Sequence, residues 1–215
     1  MDFINYGGYV KEFCIDMEKR VIPELRGIND GKKVGTYFEH EIKKFLEKKL
    51  GKPLGGSSAA GKDIPAFNID VKTTSIQQPQ SSSPFTDASE QVFGLPYNIL
   101  LFIYQKSDTV IGATFKIISC CYIPQDKTGD HRITKEILNL LSKLKNMEIT
   151  DNEFKEAVER KLQIKGAKLA DGIIEKIKTN PPQLGAITIT PAIQWRLNYN
   201  KFKNIVPPEG SLKFY

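Results

Sequence analysis

The sequence predicts an α/β protein with a mixed central β-sheet flanked by helices and extended by additional helices. Helical periodicity occupies much of the first fifty residues, and strand-like apolar runs follow at 97–105 and 109–123. The charged stretch 131–178 again has helical spacing, and strand character returns in "GAITITPAIQWRLNY". Helices, central strands, more helices and late strands in this order are typical of an α/β domain.

Proline, glycine and the polar stretches between the runs predict where the elements end. A first helix covers 9–25 and is bent or ended by Pro23, and a second covers 34–50 and is ended by Gly51. The segment "KSD" is the predicted hairpin connection between the two central strands. Residues 131–178 should form two or three helices, and Pro191 should interrupt the late strand region.

Composition limits the classes of function. With 215 residues the chain can bury a core without disulfides. Its three cysteines and two histidines form no zinc-binding spacing and suggest buried thiols in a reducing compartment. The stretch "MDFINYGGYVKEF" lacks the basic-then-apolar pattern of a secretion signal, and the apolar runs are too short to span a bilayer. We therefore expect a cytoplasmic protein without a membrane partner, and the net charge of +6 favours an anionic partner.

The second helix carries an acidic residue on its apolar side. Its apolar arc, at 100° per residue, is formed by Val34, Phe38, Ile42, Phe45, Leu46 and Leu50. Glu39 falls inside this arc, whereas Glu41 falls just outside it. A glutamate on the buried side of a helix needs a partner or a metal ion. Gly35 also lies within the arc, where it should let the helix approach a sheet closely.

The stretch "GKDIPAFNIDVKTTS" at 61–75 gathers charges in an apolar setting. In an extended strand, Asp70 and Lys72 point to the same face because side chains alternate. Asp63 is separated from them by Pro65, and a short turn would bring its carboxylate beside Asp70. Two adjacent carboxylates repel each other unless a cation relieves them, and Lys72 or a divalent metal ion could do so. From these residues alone, a surface ion pair on an edge strand remains an open alternative.

Together these residues resemble the PD-(D/E)xK nuclease superfamily. The order is a helix glutamate, an aspartate, a short gap and Asp-x-Lys on a strand, and the segment "GSSAAGKDIPAFNIDVKTTSIQQPQSSSPF" is similar to type II restriction endonucleases. The resemblance covers roughly residues 35–95. The sequence departs from the family at one point, because Lys62 rather than a proline precedes Asp63 and Pro65 follows it.

The resemblance implies a restriction-endonuclease-like core and a Mg²⁺-dependent phosphodiester hydrolase, with Mn²⁺ as a substitute metal. Asp63, Asp70 and the carbonyl of Val71 would bind the metal, and Glu39 would hold a second metal or its water. Lys72 would position or help deprotonate the attacking water. The products would carry a 5′-phosphate and a 3′-hydroxyl. Cleavage of both strands of a palindrome implies double-stranded DNA as partner and a two-fold homodimer.

Two polar stretches are candidates for DNA contact. The first follows the catalytic strand and contains Gln77, Gln78, Gln80, Ser81 and Ser82. The second is a row at a spacing of two, formed by Gln194, Arg196 and Asn198. Glutamine can make paired hydrogen bonds to adenine, and serine can donate to bases or phosphates. A polar surface loop and a solvated edge strand remain the respective alternatives.

The sequence therefore predicts a sequence-specific, double-stranded DNA endonuclease of the type II restriction kind. We expect a single domain over 1–215, with a catalytic core at about 30–125 and helical and DNA-contacting additions over 126–215. A structure-specific nuclease of DNA repair or recombination with the same chemistry is the alternative enzyme. A non-catalytic DNA-binding module, in which the acidic cluster is only structural, is the alternative from a different class.

Overall fold

A computed structural model of the chain describes residues 3–55, 62–82, 85–162, 172–190 and 196–215. The described chain forms two compact units, and each draws on separate segments of the sequence. The first unit contains 1–81, 97–123 and 199–215, and the second contains 82–96 and 124–198. Among the described residues, no helix is both long and apolar enough to cross a membrane. The predicted division into a core and C-terminal additions stays a prediction.

Helices and strands alternate as the sequence pattern indicates. The α-helices are α1 Gly7–Lys19, α2 Gly31–Leu50, α3 Ala88–Phe93, α4 His131–Lys145, α5 Asp151–Lys161 and α6 Ile173–Thr179. The strands are β1 Ile69–Ser75, β2 Gln80–Ser82, β3 Asn98–Asp108, β4 Ala113–Ile123, β5 Thr188–Thr190, β6 Arg196–Asn198 and β7 Leu212–Lys213. The prediction of a mixed α/β fold is confirmed.

The first unit is built on a four-stranded mixed sheet with the order β1-β3-β4-β7. Strand β1 runs parallel to β3, with Asp70 opposite Ile99, and β3 and β4 form a long antiparallel pair. Residues of β3 are buried from Ile99 to Tyr104, as expected for a strand covered on both faces. Since β1 has only β3 as a neighbour, one edge of β1 is unpaired within the sheet.

Helix α2 covers one face of this sheet. The Asp30 side chain accepts a hydrogen bond from the Lys32 N–H at its start, and Gly51 ends it in the left-handed conformation, with φ 65°. Phe38 is fully buried and its ring contacts those of Phe102 and Phe115. The buried arc of α2 thus fixes the helix to the sheet through aromatic packing.

Helix α2 runs antiparallel to β1. At its C-terminal end, Leu54 donates its N–H to Glu47 and accepts from the N–H of Ala66, just before β1 begins. At its N-terminal end, Ile28 and Asn29 line a cavity together with residues that follow β1. Residues earlier in α2 therefore lie beside residues later in β1.

The second unit has its own apolar core. Val92 of α3, Ile137 of α4, Phe154 and Val158 of α5 and Ile177 of α6 are buried together. The side chain of Asp130 caps α4, and Thr150 and Glu153 form a capping box at α5. The predicted helices of 131–178 are present within the described residues, and β5 and β6 pair antiparallel in this unit.

Three expectations about local structure were wrong. The segment "KSD" continues β3 to Asp108, and the turn lies at 109–112, where the Thr109 N–H donates to the carbonyl of Gly112. Helix α1 ends at Lys19, before Pro23, which instead begins a short 3₁₀ helix. Gly35 makes no close approach to the sheet, since no described heavy atom lies within 4 Å of the position that its Cβ would occupy.

Candidate active site at the free edge of the sheet

A tight turn carries Asp63 to the free edge of β1. Pro65–Phe67 forms one 3₁₀ turn, and Asn68 closes it in the left-handed conformation, with φ 55°. The chain then folds back so that Ile64 and Ile69 exchange two backbone hydrogen bonds, of 3.0 and 3.2 Å. This places Asp63 beside Val71, whose N–H donates to Asp63 Oδ2 at 2.6 Å.

Asp70 and Lys72 lie side by side on the sheet face opposite α2. Lys72 Nζ is 2.6 Å from Asp70 Oδ2, as strand alternation predicts. Asp70 is only 8% exposed, and Lys72 remains half-buried. Among the described residues, the Lys72 ammonium is the partner of the buried Asp70 Oδ2, and no other donor reaches that oxygen with hydrogen-bond geometry. The carboxylate therefore has lone pairs left that could bind a further cation.

Glu39 reaches the same place from α2. It is half-buried, and its carboxyl group interacts with that of Asp63, which in turn interacts with Asp70. Glu41, two residues later, instead contacts Arg20 at 2.6 Å and Lys44 at 3.2 Å. The two glutamates, which the sequence places inside and outside the apolar arc of α2, therefore lie in different environments. Glu39 faces the acidic cluster, and Glu41 takes part in a salt-bridge network.

Burial and neighbouring carboxylates raise the pKa of both Asp63 and Asp70. Burial is the main cause that raises the pKa of Asp70, to about 6; Lys72 opposes the rise and Asp63 adds to it. Burial also raises the pKa of Asp63, where the Val71 N–H opposes the rise and Glu39 adds to it. Without a further cation the cluster carries more negative charge than Lys72 alone relieves.

The backbone of Val71 adds a fourth oxygen-bearing group at this edge. Its N–H points away from β3, because it donates to Asp63. The N–H and the carbonyl of one strand residue leave the backbone on the same side, so the Val71 carbonyl also faces the free edge. The side chain of Val71 packs in the core between the sheet and α2, which holds this backbone segment in place.

The donor set fits a hard divalent cation. Carboxylate and carbonyl oxygens are the ligands that Mg²⁺ and Mn²⁺ prefer, and the buried Asp70 Oδ2 has no donor besides the Lys72 ammonium among the described residues. In the part of the chain that the structure describes, no three acidic, histidine or cysteine side chains are already arranged around a common metal position. Binding a metal here would therefore require small side-chain adjustments, including a shift of Lys72 away from Asp70.

The polar segment after β1 turns back beside the site. The Thr74 hydroxyl donates to the carbonyl of Gln78 at 2.9 Å and accepts from the N–H of Gln80 at 3.1 Å, which fixes this turn. Gln77 and Gln78 are exposed and line a polar cavity of about 420 Å³. Asn29 and Gln105 line the same cavity, and sequence periodicity gave no signal for either residue.

The remaining predicted DNA contacts lie in several places. The Ser81 hydroxyl is 2.9 Å from the hydroxyl of the buried Tyr199, and Ser82 is exposed. Arg196 and Asn198 are half-buried on β6, and the Asn198 amide donates to Thr190 at 3.3 Å. Gln194 lies outside the described residues.

Tyr199 was not anticipated from the sequence. Burial raises its pKa, and the nearby charge of Asp70 adds to the rise. Its hydroxyl holds Ser81, so this side chain links the acidic cluster to the segment after β1. Its only signal in the sequence is an apolar alternation ending in "RLNY".

A mixed sheet whose edge strand presents an Asp-x-Lys pair, backed by a helix glutamate and a second aspartate, is the arrangement of restriction-endonuclease-like nucleases. The family model for type II restriction enzyme NspV matches residues 2–210. Type II restriction enzyme NspV of a Nostoc species is 38% identical over 181 residues, covering 83% of this chain and 80% of that protein. This chain belongs to the NspV family of type II restriction enzymes. No solved structure matches it.

Family membership confirms the prediction of a type II restriction enzyme, that is, a site-specific deoxyribonuclease. Enzymes of this class bind DNA and generally need a divalent metal ion.

Proposed function

We propose that this restriction enzyme hydrolyses DNA at the free edge of β1, using Asp63, Asp70, Glu39, Lys72 and the Val71 carbonyl. The observation that carries the proposal is the meeting of three carboxyl groups and one ammonium at this edge. A purely structural cluster would be expected to surround its buried oxygens with donors, whereas Asp70 Oδ2 has the Lys72 ammonium and no further hydrogen-bond donor among the described residues.

Mg²⁺ is the proposed cofactor, and Mn²⁺ should substitute for it. Asp63, Asp70 and the Val71 carbonyl would hold one ion, and Glu39 would hold a second ion or a metal-bound water. When bound, the ion would polarise the scissile phosphate and lower the pKa of the attacking water. The oxygen-only donor set supports this choice, since softer metals favour nitrogen and sulfur ligands.

Lys72 has two proposed roles. In the metal-free protein its ammonium neutralises Asp70 at 2.6 Å. With a metal ion bound by Asp70, the Lys72 ammonium would be available to hold the attacking water and to stabilise negative charge on the phosphate. Attack at phosphorus with loss of the 3′ oxygen as leaving group would give a 5′-phosphate and a 3′-hydroxyl.

Base recognition is proposed for the segment that follows β1. Gln77 and Gln78 are exposed at the polar cavity, directly after the catalytic strand, and glutamine side chains can pair with adenine. The predicted contacts of Gln80, Ser81 and Ser82 belong to the same segment. Gln194, Arg196 and Asn198 are proposed as a second contact row in the 126–215 region.

A homodimer acting on a palindrome in double-stranded DNA is the proposed assembly, because one active site per strand then cuts both strands. We also propose the cytoplasm as its location. All three cysteines are free and buried, which suits a reducing compartment.

The test is incubation of the purified protein with phage DNA and Mg²⁺, followed by sequencing of the ends. Discrete fragments with one shared end sequence are expected, and EDTA should abolish them. Asp70→Ala and Lys72→Ala should remove cleavage while binding in Ca²⁺ persists. Retained cleavage by either variant would place the active site elsewhere. Cutting of branched but not linear DNA would instead support a structure-specific nuclease.

A further inference from the structure

Gly35 is a glycine that the fold does not require. It lies inside α2, within the arc that turns Phe38 and Ile42 into the core. Its φ is not positive, so no left-handed conformation demands glycine. Apart from its chain neighbours and the backbone of α2 itself, no described heavy atom lies within 4 Å of its missing Cβ, so no packing contact demands it either. Glycine destabilises a helix interior relative to alanine, and the fold gains nothing visible in return.

The open space beside Gly35 adjoins the acidic cluster. Gly35 precedes Glu39 by one turn, and the two residues differ by only about 40° around the helix. One turn back along α2 is about 6 Å. Since α2 and β1 are antiparallel, this displacement corresponds to about two residues forward along β1 at 3.3 Å each. A displacement from Glu39 back to Gly35 therefore corresponds, along β1, to a displacement from Val71 to Thr73, in the direction of Gln77 and Gln78.

The edge of β1 at this level offers free backbone donors. The N–H of Val71 faces the edge, while that of Ile76 donates to Tyr104 of β3 at 2.8 Å. Alternation therefore directs the N–H groups of Thr73 and Ser75 to the free edge. Unpaired N–H groups at a sheet edge form positions that bind anions.

We propose that the strip between Gly35 and the edge of β1 at Thr73 and Ser75 receives the sugar–phosphate backbone of the cleaved DNA strand, next to the scissile phosphate. This inference rests on the proposed active site. Gly35 keeps the strip open, and the edge N–H groups donate to a neighbouring phosphate. The strip leads from the carboxylates to the two exposed glutamines, so a strand held there passes from the site of chemistry to the proposed site of base reading.

The test is a graded series at Gly35 with a matched glycine as control. Gly35→Ala and Gly35→Leu add side chains of increasing size to the strip. Gly8 is also in a helix with open space at its Cβ, but it lies in α1, which packs against β4 rather than β1. Gly8→Ala and Gly8→Leu therefore add the same side chains to a helix away from the strip.

DNA affinity in Ca²⁺ and cleavage in Mg²⁺ are measured for each variant, together with the thermal midpoint. We expect Gly35→Ala to raise the midpoint and weaken DNA binding, and Gly35→Leu to lower kcat/KM by about tenfold to a hundredfold. Stabilisation by Mg²⁺ without DNA should equal that of the wild type, because the metal ligands are unchanged. The Gly8 variants should bind and cleave as the wild type does.

Two outcomes would overturn the inference. A folded Gly35→Leu enzyme that binds and cleaves like the wild type would show that DNA does not occupy the strip. A lower thermal midpoint for Gly35→Ala would show that protein atoms fill the space. A wild-type protein that cleaves no DNA would count against the proposed active site instead, so the two failures are distinguishable.

Discussion

Replacing Asp70 by asparagine should abolish cleavage and at the same time stabilise the metal-free protein. The pKa of Asp70 rises from its ordinary 3.8 to about 6, mainly because the carboxyl group is buried. Each pKa unit corresponds to about 1.4 kcal/mol, so the ionised carboxylate lowers the free energy of unfolding by up to about 3 kcal/mol at neutral pH. Asparagine removes this penalty but leaves Lys72 without its partner, so we expect a net gain of about 1–2 kcal/mol.

The sign of the pH dependence follows from the raised pKa. Between 3.8 and about 6 the folded protein holds a proton on Asp70 that the unfolded chain has released. Raising the pH through this window therefore lowers the free energy of unfolding, and above it the full penalty applies. The advantage of Asp70→Asn should be largest at about pH 8 and should nearly vanish at about pH 3, where wild-type Asp70 is mostly protonated in both states.

Urea unfolding in EDTA at the two pH values measures both free energies, and cleavage assays in Mg²⁺ measure the loss of activity. Added Mg²⁺ should stabilise the wild type in proportion to its occupancy and should not stabilise Asp70→Asn. A variant that is destabilised equally at both pH values would refute the reasoning, because burial of the charge would then carry no cost.

Three further changes test other parts of the structure. Glu39→Gln should reduce cleavage by about 10²-fold or more. Glu41→Gln, on the same helix, should leave cleavage unchanged and should lower the free energy of unfolding in urea by about 1 kcal/mol or less. Equal activities of the two variants would show that Glu39 is not part of the site. Lys72→Met should stop cleavage in Mg²⁺ yet bind DNA in Ca²⁺ with wild-type affinity, and loss of binding would indicate a role in holding DNA. Phe38→Ala should lower the free energy of unfolding by about 3–5 kcal/mol, and a loss below about 1 kcal/mol would contradict its place in the core.

Strand and helix periodicity predicted the parts of the site that depend on local geometry. Alternation placed Asp70 and Lys72 on one face, and the structure has them in an ion pair. The helical arc separated Glu39 from Glu41, and the two side chains have different partners. These relations depend only on a fixed rotation per residue, which the sequence carries directly.

Features that depend on tertiary contacts were not accessible from the sequence. The position of Asp63 depends on Asn68 adopting a left-handed conformation and on the exchange between Ile64 and Ile69, and neither has a periodic signal. The β3–β4 turn was misplaced because "KSD" has turn composition, while pairing with β4 extends the strand through it. Gly35 suggested close packing, but glycine composition cannot distinguish contact with a sheet from space left open.

The turn that delivers Asp63 also bears on how this protein avoids aggregation through the edge of its sheet. A sheet edge with unpaired backbone groups can add a strand from another molecule and start aggregation. At the start of β1, the backbone of Ile64 is hydrogen-bonded to that of Ile69, and the Asp63 carboxylate accepts a hydrogen bond from the N–H of Val71. An incoming strand would have to displace both and approach a cluster of buried charge. The acidic cluster thus hinders the addition of another strand to the edge of β1. Variants that remove Asp63 should therefore lose solubility as well as activity.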